Sequence, residues 1–306
     1  MRSNVTFKSN GLKIAGHLYL PDDYKEGEKR PAIVVGHPCG GVKEQTAGLY
    51  AKKLSEKGFI TLAFDASYQG ESEGEPRYLE DPFARAEDIK SAVTFLETRD
   101  EVDGQGIGAL GICASGGYVP FAAETDRRIK AIGSVSAVDL GDMVRNGLRN
   151  STAVWPNLEH LLEESNKARI EEAKGQPPRL EHIVPNTPEE VPKDAPVGVR
   201  EATDYYRTPR AQHPNSQNWF LLRSIDRIAE YSSYDHVDMI SPHPLLMIAG
   251  TEADTRYFSE MAIEKAKEPK ELFLIDDATH IGLYDKKQYV DPAVEKLNSF
   301  FNQYLR

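Results

Sequence analysis

The sequence predicts an α/β protein with a doubly wound, mostly parallel sheet, an N-terminal β-hairpin and a large helical cap insertion. Three observations support this fold class. Runs that are apolar on both faces alternate with helical patterns, which is typical of a parallel sheet covered by helices on both sides. The first residues instead alternate polar and apolar side chains around a turn, which indicates a hairpin. The stretch 139–242 has no buried-strand pattern and is too long for a bare loop, which indicates an insertion.

The elements of the sheet follow one another in a regular order. The segment "NVTFKSNGLKIAGHLYLP" predicts two strands around the turn Ser9-Asn10-Gly11. Strands and helices then alternate, which predicts right-handed crossovers. The predicted buried strands are "PAIVVGHP", "FITLAFD", "GIGALGI", "IKAIGSVSAV", "PLLMIAG" and "KELFLID". The predicted helices between and after these strands cover 44–57, 82–97, 114–124, 257–267 and 290–304.

The stretch after Val138 interrupts this alternation. It contains the helical patterns "NLEHLLEESNKARIEEAK" and "NWFLLRSIDRIAEY" and six prolines between Pro177 and Pro196, which favour extended backbone. Because buried strands flank the stretch on both sides, we expect it to lie above the sheet. The sequence therefore predicts a core of residues 1–138 and 243–306 and a cap of residues 139–242.

Composition excludes several classes of protein. The chain of 306 residues has a net charge of −11 and no basic run that could follow a phosphate backbone, which argues against nucleic acid as a partner. No segment reaches the ~20 apolar residues that cross a bilayer, and the first residues lack the apolar core of a signal peptide. Only Cys39 and Cys113 are cysteines, so no disulfide framework is expected. We expect a cytoplasmic protein that acts on a small molecule, and a homodimer is compatible with the sequence.

The stretch "GICASGGY", residues 111–118, places a cysteine and a serine at an abrupt strand-to-helix junction. Such a turn needs small residues on both sides of the nucleophile, as in the G-x-S-x-G elbow. With Cys113 as nucleophile, Gly111 and Ser115 fill these small positions. With Ser115 as nucleophile they would be Cys113 and Gly117, and the strand would have to continue past Ile112. The spacing therefore favours Cys113, whose thiolate a helix N-terminus and a histidine would stabilise.

A histidine and an acid follow later strands of the predicted sheet. His280 lies in the loop after "KELFLID", which puts it at the same sheet edge as the elbow. Asp254 lies shortly after "PLLMIAG", and Glu252 and Asp139 are its alternatives. The chain order Cys113, Asp254, His280 is the order nucleophile, acid, histidine.

Two backbone N–H groups are predicted to bind an oxyanion. Ala114 supplies one because it follows the nucleophile, and Cys39 in the loop "HPCGGVKE" supplies the other. His37 in that loop is interpreted as a turn residue that hydrogen-bonds locally. The isolated histidines offer no metal-ligand spacing, so we expect neither a metal ion nor another cofactor.

The segments "GHPCGG", "FDASYQGESEG", "GICASGG", "AGTEAD" and "ATH" together resemble the α/β-hydrolase superfamily across nearly the whole chain. The cysteine elbow is similar to that of the dienelactone hydrolase branch, and the capped layout is similar to its larger bacterial and fungal relatives. The chain departs from the pattern at Ser115, where glycine is commoner, and in the insertion, which compact dienelactone hydrolases lack. The resemblance implies a triad and two oxyanion donors with these members: Cys113, Asp254, His280, Cys39 and Ala114.

The resemblance implies a hydrolase of carboxylic esters, thioesters or lactones that forms a covalent acyl-enzyme. Two alternatives stay open: an acyltransferase with the same triad, as in polyketide transfer, and a non-catalytic binding protein of the same fold. Tyr68, after the strand "FITLAFD", and Trp219, in the insertion, are candidate substrate-binding residues. Asp65 and Ser72 are interpreted as groups that brace the loop around Tyr68.

Overall fold

The computed structural model describes residues 1–149 and 157–306. Eight strands of these residues form one sheet, and two short strands form a separate ribbon. The strands are β1 Arg2–Ser9, β2 Leu12–Tyr19, β3 Arg30–Gly36, β4 Ile60–Phe64, β5 Val102–Ile112, β6 Ala131–Val135, β7 Leu180–His182, β8 Trp219–Leu221, β9 Leu245–Gly250 and β10 Lys270–Ile275.

The large sheet has the strand order β1-β2-β4-β3-β5-β6-β9-β10. The hairpin β1–β2 is antiparallel and turns at Asn10 and Gly11, both of which have the positive φ that a tight two-residue turn requires. β2 pairs antiparallel with β4, and every pair from β4 to β10 is parallel. The predicted fold class, a mostly parallel sheet with an N-terminal hairpin, is therefore confirmed.

Helices cover both faces of the sheet. Ile33 and Val35 of β3 pack into the apolar cluster under α1 and α10, whereas Ala32 and Val34 pack into the cluster under α2, α3 and α8. This two-sided burial explains why the strands are apolar on both faces. No helix in the described residues is long and apolar enough to cross a membrane. The helices are α1 Thr46–Ser55, α2 Pro82–Glu97, α3 Ser115–Ala123, α4 Leu140–Asn146, α5 Leu158–Ala173, α6 Val197–Arg207, α7 Ser224–Ala229, α8 Arg256–Lys265, α9 Gly282–Asp285 and α10 Lys287–Leu305.

The residues between β6 and β9, which we call the β6–β9 segment (136–244), carry α4 to α7 and the antiparallel ribbon β7–β8. Residues 150–156 of the expected cap lie outside the described residues. The helical pattern over 218–231 is only partly helical. Trp219–Leu221 pairs with Leu180–His182 as a strand, and the helix is limited to α7. Pairing with β7 therefore overrides the local helical pattern.

The carboxyl ends of β3, β5, β9 and β10 lie at one edge of the sheet, because these strands run parallel. Gly36 at the end of β3 pairs with Gly111 near the end of β5. The loops that follow these strands therefore meet above one edge, which is where ligands bind in open α/β sheets.

Candidate active site

Cys113 occupies the turn between β5 and α3. Its backbone has φ +57°, a left-handed conformation that is uncommon for a residue with a side chain. A Cβ on Gly111 would come within 1.9 Å of the carbonyl oxygen of Ser115, and one on Gly116 within 2.7 Å of Ala137. Both glycines are therefore required by close backbone approach, which is the geometry of a nucleophile elbow.

Ser115 is held in the protein interior on the other side of this turn. Its hydroxyl donates to the carbonyl oxygen of His37 at 2.6 Å and accepts from Arg85 Nη2 at 3.2 Å. A Cβ on Gly36 would come within 2.7 Å of the same hydroxyl oxygen, so the serine is tightly enclosed. These bonds connect the elbow to the end of β3, and the hydroxyl is a structural group.

His280 lies in the loop after β10 with both ring nitrogens hydrogen-bonded. Nδ1 is 2.6 Å from Oγ1 of Thr255, and Nε2 is 3.1 Å from Oη of Tyr284. The carbonyl oxygen of His280 accepts a hydrogen bond from the hydroxyl of Ser136, which anchors the loop to the end of β6. The imidazole is therefore fixed from both sides.

The thiol of Cys113 and the imidazole of His280 are paired. Burial raises the pKa of Cys113, but the charge of His280 and its hydrogen bond to the sulfur outweigh burial and lower the pKa overall. Burial lowers the pKa of His280, whereas the charge of Cys113 and its hydrogen bond raise it, with further contributions from Asp254 and Glu201, and the net pKa is raised. These opposite shifts favour a thiolate beside an imidazolium.

Asp254, the predicted acid, does not make the hydrogen bond to His280 Nδ1 that the acid of a triad makes. That bond goes to the next residue, Thr255, while Asp254 acts on His280 through its charge. The Asp254 carboxylate lies in the wall of the site beside Gly198, where a Cβ would come within 2.8 Å of Oδ2. In the described residues the direct partner of Nδ1 is thus the Thr255 hydroxyl, and the Asp254 carboxylate lies nearby.

The two alternative acids lie elsewhere. Glu252 is exposed to solvent. Asp139 is buried and caps α4, accepting from the backbone N–H of Asp142 at 3.0 Å and of Ser233 at 2.9 Å. Its carboxylate is therefore used to hold the chain together.

The predicted oxyanion donors lie on two adjoining loops. In the described part of the chain, the N–H groups of Cys39 and Ala114 donate to no backbone carbonyl, and the Ala114 N–H is directed at the Cys113 sulfur. His37 holds the first loop through Nδ1, which donates to the carbonyl oxygen of Pro38 at 2.7 Å. Its Nε2 then accepts from the backbone N–H of Ala66 at 3.0 Å. The Cys39 N–H and the Ala114 N–H beside the thiol are suitable donors for a developing oxyanion.

The second thiol, that of Cys39, has a different environment. Burial and the neighbouring charge of Glu80 raise its pKa well above the ordinary value. Glu80 also accepts from the hydroxyl of Tyr118 at 2.8 Å and pairs with buried Arg85 at 3.4 Å. The Cys39 thiol therefore stays protonated.

A cavity of about 450 Å³ connects Cys113 and His280 with the β6–β9 segment. The wall is mostly apolar, and it also carries the charged residues Glu164 of α5, Arg179 just before β7 and Glu181 of β7. The apolar side chains that the segment contributes include Val138, Leu140, Met143, Leu148, Leu161, Ile183, Val184, Val199, Phe220, Leu222 and Ile228.

The two candidate substrate-binding aromatics do not line this cavity in the described residues. Trp219 stacks on the ring of His182 at 4.2 Å, and its neighbour Phe220 faces the cavity, because successive residues of a strand point to opposite sides. Tyr68 packs against Gly74 in the loop after β4. For Trp219 the reason is strand β8, which the sequence did not indicate.

Sequence reasoning missed Thr255 and Tyr284. Thr255 directly follows the predicted acid, and Tyr284 lies four residues after His280, so one helical turn brings its hydroxyl to the ring. The spacing of His280 and Tyr284 is a signal that the sequence contains, provided that the segment 281–285 is taken as helical.

Comparisons with known proteins agree with this architecture. The sequence profile of the dienelactone hydrolase family matches residues 14–135. The chain is 40% identical over 309 residues to the uncharacterized protein YcjY of Escherichia coli (strain K12), with 100% of each chain covered. It is 36% identical to PA2218 of Pseudomonas aeruginosa, whose crystal structure matches with a TM-score of 0.92 over 100% of this chain and 94% of that one.

A more distant relative carries an activity in its name. The chain is 25% identical over 284 residues to the polyketide transferase grgF of a Penicillium species, covering 92% of this chain and 90% of that protein. Three observations support one family assignment. They are the full-length similarity to YcjY and PA2218, the matching profile and the strand order of the sheet. The chain belongs to the dienelactone hydrolase family and is an α/β hydrolase of that kind.

Proposed function

We propose that this α/β hydrolase cleaves thioesters, esters or lactones of apolar carboxylic acids through a covalent acyl-enzyme on Cys113. One observation carries the proposal. Cys113 stands at a strained elbow beside His280, and both side chains open into one largely apolar cavity. A thiolate at the start of a helix and next to an imidazolium is the reactive form of cysteine.

In the first half of the reaction, the thiol proton moves from Cys113 Sγ to His280 Nε2. The sulfur attacks the carbonyl carbon, and the electron pair of the C=O bond moves to the oxygen. The N–H groups of Cys39 and Ala114 bind this oxyanion, and each such donor contributes about 3 to 4 kcal/mol to transition-state stabilisation. The tetrahedral intermediate then expels the leaving group, which takes the proton from His280, and an acyl-thioenzyme remains.

In the second half, His280 accepts a proton from water while the water oxygen attacks the acyl carbon. The C–S bond breaks, the acid leaves, and the proton on Nε2 is shared again with the Cys113 thiolate. Thr255 keeps Nδ1–H of the ring in place, and the negative charge of Asp254 stabilises the imidazolium in both halves. The proposed triad is thus Cys113, His280 and Asp254. Thr255 adds the direct hydrogen bond to the ring, and Asp254 acts on the ring through its charge.

The cavity suggests what the acyl part is like. Its size lies in the ordinary range for small-molecule sites. Because the β6–β9 segment supplies most of its apolar wall, we assign that segment, including the predicted cap of residues 139–242, to acyl recognition. An apolar acyl chain would remove these side chains from water, which favours binding.

A series of p-nitrophenyl esters of graded chain length, together with lactones and simple thioesters, tests the activity. We expect turnover that rises with acyl length up to the limit of the cavity. Val199→Trp should shift this limit to shorter acids, whereas Val197→Trp, on the exposed side of the same helix, should not. Absence of turnover on every ester, lactone and thioester would contradict the proposal.

Acyl transfer is the second candidate. The similarity to a polyketide transferase favours it, since the same acyl-enzyme can react with an alcohol, amine or thiol in place of water. Product analysis with and without an added acceptor separates the two activities. A hydrolase yields the free acid at an unchanged rate, whereas a transferase yields the acceptor ester, amide or thioester and consumes less water.

A further inference from the structure

The phenol of Tyr284 lies at the reacting atoms, although neither the elbow nor the triad pattern includes it. Its Oη is 3.1 Å from His280 Nε2, the nitrogen that exchanges a proton with Cys113. The ring lines the same cavity as Cys113, and the nearby hydroxyl contributes to the lowered pKa of the Cys113 thiol. One hydroxyl therefore bonds His280 and lies beside the Cys113 sulfur.

The ring of Tyr284 is held in a fixed place. It packs edge-on against Tyr205 with ring centres 5.2 Å apart and an interplanar angle of 84°. Its backbone oxygen accepts from the hydroxyl of Thr46 at 3.0 Å, and the preceding carbonyl, that of Leu283, accepts from Tyr50 at 2.8 Å. These bonds tie α9 to α1, so the phenol is positioned before substrate binds.

The hydroxyl of Tyr284 keeps its proton under ordinary conditions and is therefore available as a donor. The residue is buried, and both burial and the nearby Cys113 charge raise the pKa of the phenol well above its usual value. A protonated phenol beside a sulfur anion forms a charge-assisted hydrogen bond, which is stronger than one between neutral groups.

We propose that Tyr284 is a catalytic residue that donates its phenolic O–H to the Cys113 thiolate. The inference rests on the proposed function, because it assigns a role within the same acyl transfer. When the S–H bond breaks and the proton passes to His280 Nε2, the phenol keeps its own proton and stabilises the sulfur anion. When the sulfur then attacks the substrate, its charge moves to the carbonyl oxygen, and the phenol loses this acceptor.

The inference has a kinetic signature that separates it from a packing role. Loss of the phenolic hydrogen bond raises the proton affinity of the sulfur, so less thiolate exists near neutral pH. A residue that only packs would change stability and leave the pH dependence of the thiol unaltered. The readout is therefore the rate at which Cys113 is alkylated as a function of pH, which needs no knowledge of the substrate.

Tyr284→Phe is compared with Tyr205→Phe, in which a phenol of the same aromatic cluster is lost away from the sulfur. Iodoacetamide labelling of Cys113 is followed by peptide mass spectrometry between pH 5 and 9. We expect Tyr284→Phe to slow alkylation near neutral pH by about tenfold and to move its midpoint to higher pH. Tyr205→Phe should follow the wild-type profile. Coincident profiles for wild type and folded Tyr284→Phe would overturn the inference.

A second variant keeps the test valid if Tyr284→Phe does not fold. Replacement of Tyr284 by 3-fluorotyrosine keeps the ring and makes the phenol a better donor, so the alkylation midpoint should move to lower pH. An unchanged midpoint would again overturn the inference. The proposed function fails separately, through normal turnover in Cys113→Ala, and this result does not affect the alkylation profile.

Discussion

Cys39 and Cys113 occupy corresponding places in the fold, yet their thiols have opposite chemistry. Each follows a strand of one adjacent parallel pair, β3 and β5, whose ends are in register at Gly36 and Gly111, and each lines the same cavity. Cys113 lies beside His280, which lowers the pKa of its thiol although burial acts against it. At Cys39 burial and the charge of Glu80 both raise the pKa.

In the proposed mechanism, the neighbouring charge decides which of the two thiols reacts. Cys113 lies at the strand-to-helix turn directly before α3, whereas Cys39 lies in the longer loop after β3, and in the described residues its N–H donates to no backbone carbonyl. We propose that one cysteine acts through its side chain and the other through its main chain. The following variants test that division of roles.

The largest effect is expected from removing the reactive sulfur. Cys113→Ala should lower kcat by at least roughly a thousandfold, because no nucleophile remains. Cys39→Ala keeps the backbone N–H and should retain turnover within a few-fold of wild type. Initial rates on the best ester of the graded series measure both. Similar losses in the two variants would contradict the separate roles.

Alkylation should distinguish the two thiols without any substrate. At pH 7 the lowered pKa of Cys113 leaves thiolate available, whereas the raised pKa of Cys39 keeps it protonated, so iodoacetamide should label Cys113 almost alone. Raising the pH should add label to Cys39 only far above neutrality. Urea-unfolded protein, in which both thiols have ordinary pKa values, is the control and should label at both positions. Equal labelling in the native protein would show that the environments do not differ.

The ring of His280 should depend on its hydroxyl partner more than on the carboxylate. Thr255→Val removes the Nδ1 hydrogen bond and should lower kcat by about 10- to 100-fold. Asp254→Asn removes a charge that acts from a distance and should lower kcat by about tenfold or less. Steady-state rates and thermal unfolding of both variants provide the comparison. A larger loss in Asp254→Asn would identify the carboxylate as the direct partner of the ring in the working enzyme.

The smallest effect is expected at the other candidate nucleophile. Ser115→Ala removes hydrogen bonds to His37 and Arg85 but no reacting group. We expect a loss of about 1 kcal/mol in the free energy of unfolding and a change in kcat of a few-fold at most. Urea unfolding and initial rates measure the two quantities. Complete loss of turnover in a folded Ser115→Ala protein would place the nucleophile two residues further along the chain.

Much of the sheet and the elbow could be predicted from the sequence because each depends on local signals. Apolar runs identify buried strands, and Gly111, Cys113 and Gly116 identify the abrupt junction with α3. His280 follows a clear strand, so its place at the sheet edge is also fixed by the chain order. These features need only the period of side-chain burial and the steric needs of one turn.

The features that the sequence did not reveal depend on contacts between distant residues or on the path of the backbone within a loop. Asp254 and Thr255 are adjacent, and only the path of the backbone after β9 decides which of them meets Nδ1 of His280. The pairing of Glu80 with the Cys39 thiol joins two loops whose approach no local pattern reports. The sequence around Trp219 has a helical pattern, but the segment pairs with β7 and forms strand β8. As a result, Phe220 faces the cavity.

Trapping of the acyl-enzyme is the most direct test of the nucleophile. The protein is mixed with a p-nitrophenyl ester of an apolar acid, quenched in acid within the first turnovers, digested and mapped by tandem mass spectrometry. We expect one acyl group, labile to hydroxylamine, on Cys113, and none on Cys39 or Ser115. An acyl group on Ser115 or Cys39, or steady turnover without any acyl group on Cys113, would contradict the proposed mechanism.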